Sequence, residues 1–290
     1  MSTYIKVSMM MFSVIVAALI FYSSSSEEAS MNIKQEAFIE LKMPPEKFIR
    51  VNELDEEKAV DAQPAGVNFY QIDWPSDDRG SVYVDHSKYS FTIENSLGVM
   101  GSYQLSKPDR GIYTFNISGG MASQSDISHD EARIRFMDFL QKMQELGWRN
   151  FRNFSDARLT SQEGVKYALE KDSFYTMPLE YRLTLEQWMK VDSQKWRMYA
   201  DGMFVFISFI RDNTRLDLDK PSGYFFRYEI MDGQQLAKLE LPSDEMDNVK
   251  SAFPSKLQEL LDQRHKKEVM LEEQGFEIDT SYSDPELKLD

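Results

Sequence analysis

Ser128 is followed three residues later by Glu131, then by Ala132, Phe136, Phe139, Met143 and Leu146 at helical spacing, and then by Gly147. This stretch constrains the fold more than any other. A capping residue, an apolar stripe and a terminal glycine predict a helix that must bury one face. The segments before it supply the surface. SVYVDHSKYSFTIE reads as two β arms, and GVMGSYQLSKPDRGIYTFNIS as a hairpin turning at Pro-Asp-Arg-Gly. WRNF after the helix reads as a further strand. The second half repeats the order. QKWRMYADGMFVFISFIRD turns at Ala-Asp-Gly, GYFFRYEIMDGQQLAKLEL turns at Asp-Gly, and a helical stretch from Ser243, punctuated by Pro254, runs to Gly275 ahead of FEIDTSY. The expectation is an α+β fold of two similar modules, residues 67–155 and 156–290, each made of antiparallel hairpins packed on a helix. Between them, short helices are expected near 161–171 and 184–190.

Residues 1–22 form a different kind of segment. From Val7 to Tyr22 there is no charge, and only Ser8 and Ser13 are polar. As a helix this run is about 24 Å long, short against a hydrocarbon core of about 30 Å, although Tyr4 and Tyr22 can extend it. Lys6 precedes the run while Glu27 and Glu28 follow it, which leaves the N-terminus in the cytoplasm. The run is read as an uncleaved transmembrane anchor, with a cleaved signal as the alternative, because no A-x-A-like site follows. Either way the remainder lies outside the cytoplasm. Residues 23–66, acidic and containing Pro44-Pro45, read as a tether in which EAFIELK alternates well enough for a short strand.

The chain has no cysteine, so packing rather than disulfides must hold an exported domain, and thiol catalysis and cysteine-ligated metals are excluded. Nineteen Phe, fourteen Tyr and four Trp are enough to fill a sizeable core. Forty-eight acidic against thirty-three basic residues give a net charge of −15, which argues against nucleic acid as a partner and allows steering toward a basic protein.

Catalytic signatures are sparse. His86, His129 and His265 have no metal-binding spacing, and no phosphate-binding glycine loop or nucleophile elbow occurs. SGGMASQS reads as a strand-to-helix connection. In RDNTRLDLDKPSG, Asp217 and Asp219 form a D-x-D pair, a solvated loop whose other reading is a metal-dependent transferase or hydrolase. Trp188 and Trp196 lie beside Arg182, Arg197, Lys190 and Lys195. That mixture suits a protein-binding hot spot or a half-buried surface with cation–π contacts. Trp188, Arg197, Asp217 and Asp219 are therefore the candidate partner-binding residues, and no catalytic residue, metal or cofactor is assigned.

The stretch SFYTMPLEYRLTLEQWMKV…WRMYADGMFVFISFIRD resembles envelope-located immunity proteins of bacterial type VI secretion loci, over residues 130–285. Many of those are lipoproteins, and this chain departs from them in lacking a lipid-bearing cysteine. The resemblance implies a non-catalytic periplasmic protein that occludes a toxin, here held at the inner membrane by its N-terminal run. The alternatives are a structural or accessory subunit of an envelope complex and a carboxylate-based extracytoplasmic enzyme.

Overall fold

A computed structural model describes residues 34–289 apart from positions 173, 192 and 193. The expected anchor or signal and the first part of the tether lie outside the described residues. Among the described residues no helix is long and apolar enough to cross a membrane.

The fold is mixed α and β, with twelve strands and seven α-helices among the described residues. The strands are β1 (Glu36–Glu40), β2 (Val60–Gln63), β3 (Val67–Asp73), β4 (Gly80–Asp85), β5 (Phe91–Gln104), β6 (Ile112–Gly119), β7 (Asp126–Ile127), β8 (Arg149–Asn150), β9 (Thr176–Met177), β10 (Lys195–Ala200), β11 (Met203–Arg211) and β12 (Ser222–Asp232). The helices are α1 (Pro45–Val51), α2 (Glu56–Ala59), α3 (His129–Glu145), α4 (Ser161–Glu170), α5 (Leu185–Lys190), α6 (Gly233–Leu239) and α7 (Val249–Glu273). The sheet runs β1-β4-β5-β6-β12-β11-β10-β8. The antiparallel β6–β12 ladder, from Phe226 opposite Gly119 to Met231 opposite Thr114, joins the two halves into one sheet.

Residues 34–66 are folded, contrary to the expected tether. β1 pairs in parallel with β4, and Phe48 of α1 is buried against Tyr70 and Phe115. The free edge of β1 is covered by a side chain. Asn52 Oδ1 accepts from the Phe38 N–H at 2.7 Å, and its Nδ2 donates to the Phe38 carbonyl at 3.0 Å. An amide thus stands in for the missing strand. Beyond β1, the Lys42 N–H donates to the Ile112 carbonyl and the Ile112 N–H to the Met43 carbonyl, so the chain leaving β1 meets the start of β6.

Strand alternation divides the second half of the sheet into two faces. On one face Tyr224, Phe226, Tyr228 and Ile230 of β12 lie beside Arg211, Phe209, Ile207 and Val205 of β11, and Trp196 and Met198 of β10 continue the layer. α3 covers it, with Phe136 4.7 Å from Trp196 and 5.1 Å from Phe226 between ring centres. The helix forms where expected, and Ser128 Oγ accepts from the Glu131 N–H. The Glu131 carboxylate pairs with Arg135 rather than reaching back to the cap. Its buried stripe includes Met137 and Leu140, whereas Leu146 is exposed. Because α3 lies against β10–β12, the boundary drawn at residue 155 is not a break in the packing.

On the opposite face, Phe204, Phe206 and Met231 pack with Leu236 of α6, Val249, Phe253 and Leu260 of α7, and Phe151 and Phe154. Two local expectations change here. Asp232-Gly233 does not turn a hairpin, because the Asp232 carboxylate accepts from the Gln235 N–H and starts α6. FEIDTSY is not a strand and makes only a single bridge, Leu159 opposite Ile278. That tail is held by ion pairs, with Arg264 bridging to both Asp284 oxygens at 2.5 and 3.0 Å.

Candidate functional site

The site is built on a buried polar cluster between α3, α5 and the β11–β12 hairpin. Alternation turns Tyr224 inward, where its hydroxyl lies 3.0 Å from Trp188 Nε1 and 2.7 Å from His129 Nδ1. The indole N–H can only donate, so the hydroxyl oxygen accepts it, and the same hydroxyl shares a hydrogen bond with His129 Nδ1 whose direction follows the imidazole tautomer. The backbone of Arg215 and Asp217 lies beside the imidazole ring. Burial holds the His129 pKa below its usual value, and the Arg211 cation lowers it further. Arg211 lies beside Tyr224 with its guanidinium buried, donating to the carbonyls of Trp188, Met189 and Val191 at 2.9 to 3.0 Å. It thus neutralises the C-terminal end of α5. At the other end of α5, Thr184 and Gln187 form a reciprocal capping box.

Above this platform the chain from 212 to 221 forms the hairpin tip. The Asp212 carboxylate accepts from the Thr214 N–H at 3.0 Å and hydroxyl at 2.6 Å and from Arg215 Nε at 2.7 Å. These bonds, the Thr214 hydroxyl first, pull its pKa down to about 2. Arg215 also reaches Asp126 on β7 at 2.6 Å, tying the tip to the strand beside it. Asp217 accepts from the Asp219 N–H at 3.1 Å and pairs with Lys220 at 2.9 Å.

The tip displays apolar side chains. Leu216 and Leu218 are 50% and 54% exposed, and Ile210 and Phe225, directly opposite each other on β11 and β12, are 62% and 36% exposed. Of the eleven large apolar side chains exposed among the described residues, these four lie in one hairpin. Ile210 and Phe225 share the sheet face that α6 and α7 cover, but at the opposite ends of the strands. Asp126, Asp212, Asp217 and Asp219 against Arg215 and Lys220 leave the tip acidic. Exposed apolar side chains interspersed with charged ones are the composition found at interaction surfaces.

The four residues singled out from the sequence fall in different places. Asp217 and Asp219 are on the tip. Trp188 is fully buried beneath it, stacked 4.4 Å from Phe209, and so presents no surface of its own. Arg197 also faces inward. Its side chain is 14% exposed, donates to Thr176 Oγ1 at 2.5 Å, and lies 3.8 Å from Asp156 and 5.5 Å from the Phe206 ring. Arg197 makes a cation–π contact with Phe206, whereas Trp188 is a fully buried core residue, because alternation in β10 and the apolar face of α5 turn both side chains inward. The leucines of the tip were missed, although the alternation Leu216-Asp217-Leu218-Asp219 is visible in the sequence.

A separate cleft of about 280 Å³ opens where β1, β4 and the β10–β11 turn end, lined by Glu40, Lys42, His86, Asp201, Asp232 and Lys288 among others. Asp232 at its base pairs with Lys42 at 3.2 Å and Arg110 at 3.4 Å and caps the start of α6. Comparison with protein-family models, curated proteins and solved structures returned no match.

Proposed function

We propose that this chain is a non-catalytic extracytoplasmic binding protein that neutralises a secreted protein effector by occluding it. The observation that carries the reading is the acidic β11–β12 hairpin end, where Leu216 and Leu218 of the tip and Ile210 and Phe225 of the strands are exposed. Such side chains stay in water at a cost, and a partner surface that buries them recovers about 25 cal/mol per Å² of apolar area. The net charge of −15 favours approach to a basic protein and disfavours approach to nucleic acid. In this reading residues 1–22 hold the protein in the inner membrane with the remainder in the periplasm. Removal of that run would leave it free in the periplasm. The hairpin-then-helix order of each half supports reading the halves as modules built alike.

Affinity capture from the native envelope, combined with a protection assay, tests the proposal. A single secreted effector should co-purify, and deletion of this gene should sensitise cells to it. Asp217→Asn with Asp219→Asn should leave protection largely intact, because occlusion depends on the whole surface. Loss of function in that folded variant would point to carboxylate chemistry at the tip. Co-purification with a multisubunit assembly and no change in sensitivity would assign the chain to an envelope machine instead.

A further inference from the structure

Resting on the binding reading above, we infer that the β11–β12 tip is the docking element and that it inserts into a concave, cation-rimmed surface of the partner protein. Three observations converge on this assignment. The first is shape and chemistry: Leu216 and Leu218 alternate with Asp217 and Asp219, and all four belong to a loop that leads directly to the exposed Ile210–Phe225 pair. Apolar knobs of this size are complemented by a pocket, and the intervening carboxylates by basic groups at its rim.

The second is rigidity. The Asp212–Thr214–Arg215 bonds and the Arg215–Asp126 bridge fix the loop, and the Asp212 N–H donates to the Gly223 carbonyl at 3.0 Å to close its base. Below it the Trp188–Tyr224–His129 cluster forms a solid floor. A loop braced by such bonds has less entropy to lose on docking, so more of its contact energy goes into affinity.

The third observation selects the occupant. Four carboxylates surround the tip against two cations, and the chain as a whole carries −15. A second copy would bring two acidic tips and two anionic chains together, and anionic lipid or nucleic acid would meet the same repulsion. A basic protein surface meets the opposite. The tip therefore presents to its partner the charge pattern of an anionic ligand with an apolar body.

Site-specific photo-crosslinking in cells of the native host tests the assignment on the full chain. A benzophenone amino acid placed at Leu218 should form one major protein adduct, and mass spectrometry should map it to a segment of the partner rich in Lys and Arg. The same probe at Leu239 on α6, which is equally solvent-facing, should not form it. Asp217→Lys with Asp219→Lys should lower the Leu218 adduct yield by about tenfold, and raising ionic strength in isolated envelopes should act in the same direction. Leu216→Ser with Leu218→Ser should raise the dissociation constant of the purified complex by about tenfold or more while leaving the circular dichroism spectrum unchanged. Adducts to lipid, to a second copy of this chain or to an acidic segment would overturn the assignment, as would no adduct or an equal yield at Leu239. The two proposals fail separately. If the Leu218 adduct forms as expected but the lysine variant protects cells fully, neutralisation by this surface is wrong while the docking element stands. If protection requires the protein but Leu218 forms no adduct, the effector is bound elsewhere.

Discussion

Replacing Tyr224 by phenylalanine removes one oxygen and leaves the ring in place, which makes it a clean probe of the platform under the tip. The lost hydroxyl accepts from Trp188 Nε1 at 3.0 Å and is hydrogen-bonded to His129 Nδ1 at 2.7 Å. Trp188 and His129 are both fully buried, so water cannot replace either bond without opening the packing. Each stranded buried group costs about 1–3 kcal/mol, and the phenylalanine recovers part of this because no hydroxyl need be desolvated. The expected loss of stability is about 2–4 kcal/mol, a large share of the 5–15 kcal/mol typical of a domain. Urea titration followed by tryptophan fluorescence measures it, with the slope of the transition checked against the parent chain. The substitution should also change protease susceptibility between 212 and 221, because His129 faces the backbone of Arg215 and Asp217 from beneath. A loss below about 1 kcal/mol would refute the deduced bonding, since it would mean that both partners have other ways of being satisfied.

Three further outcomes follow from the packing. Phe136→Ala should cost about 3–5 kcal/mol, whereas Phe139→Ala, a half-buried ring 5.9 Å from Tyr228, should cost about half as much; equal losses in denaturant would mean that the face of α3 is misassigned. Arg264→Met keeps the side-chain volume but removes the partner of Asp284, whose carboxylate is partly exposed, so the loss should be about 2 kcal/mol, with faster carboxypeptidase digestion of the tail as the readout. Burial and Arg211 depress the pKa of His129 in the folded chain, so below the unfolded value of about 6.5 the unfolded state takes up the proton first. Stability should therefore fall as pH drops through that value, and His129→Asn should reduce this pH dependence; an unchanged slope between pH 7 and 5 would contradict the assignment.

Elements whose signals are local were legible in the chain's residues alone. Ser128, the stripe through Phe136 and Met143, and Gly147 specify α3 without reference to the rest of the chain, and Gly147 does adopt a positive φ of 96°. Asp201-Gly202, with φ of 40° and 84°, turns β10 into β11 as its composition requires. The acidic balance and the missing cysteines are likewise properties of composition alone. Tertiary structure decided what depends on which face of an element meets which neighbour. Pro44-Pro45 and the acidic run after it read as tether until β4 supplies a partner for β1 and Phe48 finds Tyr70 and Phe115. Asp232-Gly233 carries the same residues whether it turns a hairpin or caps a helix, and only the apolar pocket awaiting Leu236 chooses the helix. The site shows the division most sharply. Trp188 and Arg197 have the composition of a binding hot spot, yet they are buried because α5 and β10 turn them toward Phe209, Phe206 and Asp156. Leu216 and Leu218 have the composition of a core, yet they are exposed because the bonds around Asp212 and Arg215 fix the loop beyond the end of the sheet. A side chain's type states the free energy of burying it, while the backbone that carries it decides whether burial is within reach.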